Sequence, residues 1–153
     1  MYAEIHMKQG GRAVSVEGLR AHHYVVDVQT RSRVEFADVT EVVRKHVAES
    51  GAQSGVCHLY TPHTSAALLI QENDDPSLRQ DLDRFLSELA PRDKPYHHND
   101  GNCDAHLKAS LIGCSKTLLI ENSRLLLGRW QGVFFCEFDG PRRRELHIKL
   151  VAD

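Results

Sequence analysis

The fold is decided by the stretch Tyr60-Thr-Pro-His-Thr-Ser-Ala-Ala-Leu-Leu-Ile-Gln-Glu-Asn-Asp-Asp-Pro-Ser-Leu78. At its centre, residues 66–70 form a run of five apolar residues with polar clusters on both sides. Such a run predicts a buried strand that carries polar side chains at its two ends. A second polar-rich block, HHNDGNCDAHLK, spans residues 97–108. We predict that these two blocks meet in space and form a single site.

The composition is that of one soluble globular domain. The chain has 153 residues, of which 41% are hydrophobic and 26% are charged, and this length is sufficient to bury a core. Its 19 basic and 21 acidic residues argue against the broad basic face that nucleic acid requires. The N-terminus lacks an apolar signal segment, and no run approaches the roughly 20 apolar residues of a spanning helix. We therefore expect a cytoplasmic protein without membrane or nucleic-acid partners.

Two segments carry clear signals for helix ends. Asp38 and Glu41 form a capping-box pattern ahead of valines at helical spacing, and Gly51 ends this first predicted helix. Asp74 or Asp75 caps the second predicted helix, with a proline in its first turn. One face of the second helix carries an apolar stripe, Leu78, Leu82, Phe85, Leu86 and Leu89.

A third helix and several strands complete the prediction. The third helix covers residues 103–112 and is closed by a glycine. Residues 1–20 predict either an edge strand or an N-terminal arm. Strands are predicted at residues 24–30, 55–60, 66–70, 116–120, 124–127, 131–138 and 145–151. This pattern predicts an α+β fold: a single compact domain over residues 1–153, in which a mixed, largely antiparallel sheet packs with about three helices.

The histidines of the two polar blocks are candidate metal ligands. Three of His63, His97, His98 and His106 would leave an open coordination position on a divalent metal if they converged. Their spacing matches no compact metal motif. For each histidine, a polar residue in a loop is therefore as good an interpretation as a metal ligand. The remaining histidines are interpreted as surface or packing residues: His6, His22, His23, His46, His58 and His147.

The charged side chains supply further candidates. A helix-capping role accounts for the presence of one of the two residues Asp74 and Asp75 without any functional role. Glu72, in contrast, ends a buried strand and needs a partner or a ligand. Basic side chains hold phosphate oxygens, bidentately for arginine and as a point charge for lysine. The candidates for this role, with a solvated turn as the alternative, are Lys108, Arg142 and Arg144.

Five motifs together resemble the YjbQ-like family of small proteins, which are described as secondary thiamine-phosphate synthases. The motifs are Pro62–Ala66, Gln71–Pro76, Asn102–Lys108, Gly128–Gly132 and Gly140–Arg144, and they occur in the family's order. The resemblance implies a compact α+β fold, assembly as a homotrimer, and a polar pocket that holds the matched histidines. It also implies a divalent metal ion, Zn or Mg, as cofactor.

The resemblance implies roles for individual residues as well. The implied metal ligands are His63, His98 and His106. The implied catalytic residues are His63, Glu72, Asp75, Lys108 and Gln131. The implied substrate-binding residues are Thr64, Ser65, Asn73, Asn102, Trp130 and Arg142, and the basic side chains considered above add Arg144 to this group. Asp81 also matches the family pattern, without an assigned role.

The implied activity joins a hydroxymethylpyrimidine diphosphate to a thiazole phosphate. It is expected as a secondary activity, beside a physiological reaction on another small phosphorylated or heterocyclic metabolite. Two alternatives use the same residues: a non-catalytic protein that binds a metal or an anionic metabolite, and a metal-dependent hydrolase. A weaker third alternative is an RNA-associated protein that uses the turn at residues 142–144.

Overall fold

The computed structural model describes residues 4–7, 12–16 and 19–152. Its helices are α1 (Thr40–Ser50), α2 (Ser77–Leu89) and α3 (Cys103–Ile112). Its strands are β1 (Glu4–Met7), β2 (Arg12–Val16), β3 (Leu19–Gln29), β4 (Glu35–Asp38), β5 (Ser54–Tyr60), β6 (Ala66–Glu72), β7 (Ser115–Glu121), β8 (Arg124–Leu125), β9 (Gln131–Glu137) and β10 (Arg143–Ala152). The α+β prediction is confirmed.

The strands form two antiparallel sheets. The large sheet has the order β1-β3-β10-β5-β7-β8, and β2 also pairs with β3. Its longest ladder joins β3 to β10, from the pair Arg143 and Gln29 to the pair Ala152 and Arg20. The small sheet has the order β4-β9-β6. Every ladder among the described strands is antiparallel, so the expectation of a mixed sheet is wrong.

The small sheet is the middle layer, and this position explains the apolar run of β6. One of its faces packs toward the large sheet and α1 through Leu68 and Phe135. Its other face packs against α2 and α3 through Ala67 and Phe134. A strand that is buried on both faces has no need of alternating polar residues. The run that the sequence shows at residues 66–70 therefore reflects this central position.

Carboxylates upstream of α1 and α2 satisfy the first backbone N–H groups of these helices. Asp38 Oδ1 accepts the Thr40 N–H at 2.9 Å, and Asp75 Oδ1 accepts the Ser77 N–H at 2.8 Å. Asp75, and not its neighbour Asp74, is thus the capping residue of α2. The capping-box role of Glu41 is wrong, because its carboxylate pairs with a side chain of its own helix, Arg44.

The apolar stripe of α2 is less buried than its pattern predicts. Only Leu86 is buried, whereas 60% of Phe85 and 55% of Leu89 is exposed. On the neighbouring helix α3, 61% of Leu111 is exposed. The two helices therefore carry apolar side chains on the surface of the chain.

The N-terminal part of the chain extends the large sheet. Residues 4–7 and 12–16 pair with β3, as an edge strand would, and the rest of residues 1–18 lies outside the described residues. His6 was interpreted as a surface or packing residue, and its side chain lies outside the described part of the structure. Over the described ranges, no helix is long and apolar enough to cross a lipid bilayer.

Candidate functional site

The strand β6 separates the predicted site residues into two groups. Its seven residues span roughly 20 Å at about 3.3 Å per residue. The block at residues 97–108 reaches the first end of β6, where His106 Nδ1 lies 3.1 Å from the Thr64 carbonyl oxygen. The second end carries Glu72 and Asn73. The prediction of one site formed by all these residues is therefore wrong within a single chain.

His63 is held at the first end of β6 by a backbone group. The Glu145 N–H donates a hydrogen bond of 2.8 Å to His63 Nε2. Burial, followed by the nearby charge of Arg144, lowers the pKa of His63 and favours its neutral form. Since Nε2 is the acceptor in this bond, the neutral ring carries its proton on Nδ1.

This hydrogen bond corrects one expectation and supports another. A ring whose Nε2 accepts a hydrogen bond and whose Nδ1 carries a proton offers no lone pair to a metal ion. The assignment of His63 as a metal ligand therefore does not fit this conformation. As a neutral N–H donor, His63 instead suits an anionic oxygen of a ligand.

His63 lines an open cleft of about 450 Å³, a volume within the range of small-molecule sites. The cleft lies between the β5–β6 loop and the end of α3. Its remaining lining residues include Tyr60, Thr61, Thr64, Ser110 and Cys114. Hydroxyl groups thus outnumber charged groups along its wall.

His98 and His106 form an imidazole pair beside this cleft. Their ring centroids are 5.2 Å apart and the rings are nearly perpendicular. Because His106 Nδ1 donates to the Thr64 carbonyl, its Nε2 is left with a lone pair for a ligand, an arrangement common in metal-binding histidines. However, no group of three or more His, Cys, Asp or Glu side chains among the described residues is placed to hold a metal ion. The fit to a metal is therefore limited to two imidazoles.

Asp139 gathers three polar side chains near the start of α3. Its carboxylate accepts hydrogen bonds from Asn102 at 2.9 Å, from Arg142 at 2.8 Å and from Arg33 at 3.0 Å. Burial alone would raise the pKa of Asp139, but these hydrogen bonds and positive charges outweigh it and lower the pKa. The side chain of Arg142 remains 53% exposed, so it can still meet an anion, whereas Asn102 is half-buried.

Two of the predicted phosphate-binding cations are buried in ion pairs. Arg144 is 6% exposed, and its guanidinium donates to Glu137 at 2.6 and 2.7 Å and to Ser65 Oγ at 2.8 Å. Lys108 is 3% exposed and lies 3.3 Å from an Asp104 oxygen. The expected contacts of Arg144, Lys108 and Ser65 with a substrate are therefore wrong. The sequence shows their charge or hydroxyl but not the buried carboxylates that surround them.

The second end of β6 has a separate and smaller hollow of about 210 Å³, lined by Trp130 and Gln131. Asn73 Nδ2 donates to Asp38 Oδ2 at 2.6 Å, and the Arg129 guanidinium lies 4.5 Å from the Trp130 ring centre. Gln131 Oε1 accepts a backbone N–H of its own turn at 2.8 Å. These contacts hold the predicted residues in a turn, away from the cleft at His63.

The two carboxylates at this end have ordinary explanations. Glu72 is exposed to solvent, so the inference that it must find a partner or a ligand is wrong. Asp75 is exposed and caps α2, and the hydrogen bonds from Ser77 lower its pKa. Neither carboxylate is placed to handle protons for a ligand in the cleft at His63.

Sequence reasoning missed Glu137 and Glu145. Glu137 is fully buried, and its signal was available, since it is the only acidic residue in an apolar run at residues 132–138. Glu145 acts on His63 through its backbone, and no side-chain pattern reveals such a contact. Ser110 lies one turn after His106, a spacing that the sequence does show.

Comparison with known proteins agrees with this fold. The YjbQ family model, described as UPF0047 protein YjbQ-like, matches residues 24–153. A UPF0047 protein of Methanocaldococcus jannaschii is 46% identical over 126 residues, which cover 82% of this chain and 91% of that protein. The UPF0047 protein YugU of Bacillus subtilis is 42% identical over 128 residues, covering 83% of this chain and 97% of YugU.

Solved structures agree as well. A crystal structure of an uncharacterized YjbQ/UPF0047 family protein from Clostridium acetobutylicum has a TM-score of 0.81 and 42% identity, and the match covers 82% of this chain and 98% of that one. A YbjQ-like protein of unknown function from Sulfolobus solfataricus has a TM-score of 0.85 and 27% identity, over 88% and 99% of the two chains. By sequence and by structure, this chain belongs to the YjbQ/UPF0047 family.

Proposed function

We propose that the protein binds and transforms a small phosphorylated heterocyclic metabolite in the cleft at His63. The reaction class that we propose is that of a thiamine-phosphate synthase, as a secondary activity beside a physiological reaction on a related molecule. The observation that carries this proposal is the hydrogen bond from the Glu145 N–H to His63 Nε2, which makes His63 a neutral N–H donor at the wall of a cleft. Such a donor suits a phosphate oxygen.

In this reaction a ring nitrogen of the thiazole phosphate attacks the methylene carbon of the pyrimidine diphosphate. The new C–N bond forms as the C–O bond breaks, and diphosphate leaves with the electron pair. Negative charge therefore grows on the leaving diphosphate, where hydrogen-bond donors and cations accelerate the reaction most. In our proposal His63 donates to this group through Nδ1 at the wall of the cleft.

We also propose a divalent metal ion, held by His98 and His106, as a cofactor of this site. When bound, such an ion would polarise phosphate oxygens. Because His106 Nδ1 is engaged by the Thr64 carbonyl, Nε2 is the nitrogen that would face the ion. Water or the ligand itself would complete the coordination. No step of the reaction above depends on this ion.

A second candidate is a protein that binds an anionic metabolite without transforming it. The observation that favours it is the position of Glu72 and Asp75, which lie at the far end of β6 from His63. The cleft then lacks the carboxylates predicted to handle protons. A metal-dependent hydrolase has less support, since no three-donor metal set occurs in the part of the chain that the structure describes.

We further propose that the protein assembles as a homotrimer. The exposed apolar side chains of Phe85 and Leu89 on α2 and of Leu111 on α3 support self-association, because large apolar side chains on a protein surface are often covered by an interface. Light scattering coupled to gel filtration measures the mass in solution. A mass close to three times 17.3 kDa is expected, and a monomer at micromolar concentration would contradict it.

The test of the function uses purified full-length protein with hydroxymethylpyrimidine diphosphate and thiazole phosphate. Thiamine phosphate is oxidised to its fluorescent thiochrome product and measured over time. The His63→Gln variant is expected to lose turnover about 100-fold, within the range for the loss of one positioned hydrogen-bond donor. His22→Gln is the matched control, since its ring stacks on Tyr24 away from the cleft.

The outcomes separate the two candidates. Turnover in the wild type that falls in His63→Gln supports the transferase. Binding of both substrates without any turnover supports the binding protein. Equal turnover in the wild type and in His63→Gln would contradict the role of His63.

A further inference from the structure

Three histidines interpreted from the sequence as surface or packing residues lie together on the outer face of the large sheet. His23, His58 and His147, together with Tyr60 and Lys149, line a hollow of about 390 Å³. They come from the three neighbouring strands β3, β10 and β5. The residues that alternate with them on β10, such as Ile148, point into the core. The hollow is thus distinct from the cleft at His63.

The centre of this hollow is a pair of imidazoles. His23 Nε2 lies 3.0 Å from His147 Nδ1, so the two nitrogens share one proton when both rings are neutral. The other nitrogen of His147, Nε2, lies 3.5 Å from a Glu145 oxygen. Burial, then the charges of His147 and Lys149, lowers the pKa of His23. These effects favour the neutral form of His23, and a bound anion would favour its protonated form.

Lys149 stands between two of the histidines. In the sheet register it is opposite His23 on β3 and opposite His58 on β5. Its ammonium repels a metal ion and attracts an anion, so the chemistry of the hollow favours anions. His58 Nδ1 bonds Thr117 Oγ1 at 2.8 Å, which leaves Nε2 for a ligand.

We propose that this hollow binds the phosphate group of a small soluble molecule. Lys149 supplies a fixed positive charge, and His23 and His147 each donate an N–H to a separate phosphate oxygen after one proton is taken up. Imidazolium and ammonium groups make charge-assisted hydrogen bonds to phosphate, which are stronger than bonds between neutral groups. A concave space of about 390 Å³ fits a single small molecule.

Other groups around the hollow set its charge. Glu145 on β10 is the carboxylate beside His147, and Tyr60 on β5 contributes a phenol. Lys149 and the histidines thus face one carboxylate among the described side chains, and proton uptake makes the hollow more positive.

Tyr60 joins the hollow to the candidate site. It lines both the cleft at His63 and this hollow, and its ring centre lies 6.0 Å from that of His147. A molecule in the cleft could therefore extend a second anionic group past Tyr60. This link rests on the proposed function, whereas phosphate binding in the hollow does not.

The experiment is calorimetric titration of the full-length protein with inorganic phosphate and with sulfate at pH 6.0 and pH 8.0. Sulfate keeps its charge over this range, so its pH dependence reports on the protein. We expect sulfate to bind about fivefold or more tightly at the lower pH, because histidines protonate in this range. Lys149→Met and His23→Gln are expected to weaken both anions about tenfold or more.

The matched controls are Lys45→Met and His22→Gln, which change the same residue types outside the hollow and should leave binding unchanged. A second measurement requires no substitution. Sulfate should shift the imidazole nitrogen signals of His23 and His147 in NMR spectra of the wild-type protein. Absence of binding at millimolar concentrations, or binding that survives Lys149→Met, would overturn the proposal.

A further variant keeps this test separate from that of the cleft. His63→Gln should retain anion binding in the hollow even if it loses turnover. If His63→Gln abolishes binding and Lys149→Met does not, the anion occupies the cleft and the hollow has no such role. A protein without transferase activity that still binds sulfate through Lys149 would refute the proposed function and leave this inference standing.

Discussion

The Glu145 backbone N–H donates a 2.8 Å hydrogen bond to Nε2 of His63. This bond ties the first residues of β10 to the loop between β5 and β6, far apart in the chain but adjacent in space. It determines which ring nitrogen of His63 carries the proton. Two residues later on β10, His147 lines the hollow that it shares with His23 and Lys149. One strand therefore contributes both to this hollow and to the cleft at His63.

The hydrogen bond to His63 predicts a pH limit on activity. The pKa of His63 is lowered from its ordinary value of 6.5, so His63 remains neutral above pH 6.5 and protonates only below it. Protonation of Nε2 breaks the bond from Glu145 and releases the ring. We expect turnover of the proposed reaction to depend little on pH above pH 6.5 and to fall as the pH drops below it. Initial rates from pH 5 to 8 measure this, and the same acidic limb in His63→Gln would rule it out.

The buried pair of Arg144 and Glu137 predicts strong coupling in stability. Removing one partner leaves an unpaired buried charge, which costs about 3–5 kcal/mol. We expect Arg144→Met and Glu137→Leu each to lower the free energy of unfolding by about this amount. The double variant should recover much of the loss, because neither charge remains. Urea unfolding followed by circular dichroism measures all four proteins, and simple additivity of the two losses would contradict the coupling.

Two glycines with positive φ predict different costs for alanine. A Cβ on Gly55, at φ +144, would lie 2.2 Å from the Val151 carbonyl oxygen, whereas a Cβ on Gly51, at φ +70, would meet nothing within 4 Å. We expect Gly51→Ala to cost about 1 kcal/mol through backbone strain alone. Gly55→Ala should cost about 3 kcal/mol or more, since the β5–β10 ladder must shift. Thermal unfolding compares the stability of the two variants. Equal losses of stability would contradict this prediction, because they would show that the β5–β10 ladder can shift at no cost.

The buried ring of His46 predicts a loss of stability in acid. Burial lowers its pKa despite the nearby carboxylate of Glu49, so the unfolded chain binds a proton more readily than the folded one. The stabilisation is complete above pH 6.5, the ordinary pKa, and is lost as the pH falls below it, by at most about 1.4 kcal/mol per pH unit.

The variant His46→Phe keeps a ring on Tyr24, whose centre is 4.4 Å away, and removes the titration. We expect it to lose less stability than the wild type between pH 7.0 and pH 5.5 in urea unfolding. His97→Gln is the control, since its side chain is exposed. An unchanged pH slope in His46→Phe would exclude His46 as a source of acid sensitivity.

The geometry of the His98 and His106 pair predicts which histidine is needed for metal binding. If a metal ion is bound, His106→Gln should lose it, because His106 Nε2 carries the lone pair that is available to the ion. His63→Gln should retain it, since neither nitrogen of His63 offers a lone pair. Elemental analysis of the purified proteins decides this, and loss of the metal in His63→Gln alone would reverse the assignment.

The elements themselves were largely predictable from local signals. The apolar run before Gln71 predicts β6, and the glycines at positions 51 and 113 end α1 and α3 as expected. These features depend on steric and solvation rules that act over a few residues. The antiparallel pairing of every ladder was not predictable, because strand order depends on contacts between residues distant in sequence.

The candidate site was predictable by residue type but not by partner. His63 and His106 were identified, and the structure brings His106 to the backbone of Thr64. The roles of Arg144 and Lys108 were wrong, because their carboxylate partners were not recognisable from the sequence. A charged side chain exposed to solvent and one paired in the core look identical in sequence.

The sequence by itself determined the family, the helices and the polar blocks, since these depend on residue types and their spacing. Only the tertiary structure decided that the block at residues 97–108 reaches the His63 end of β6 and not the Glu72 end. Only it placed His23 beside His147, a contact across 124 positions of the chain. The physical reason is that side-chain function depends on distance and burial, and both arise when remote strands pair into sheets.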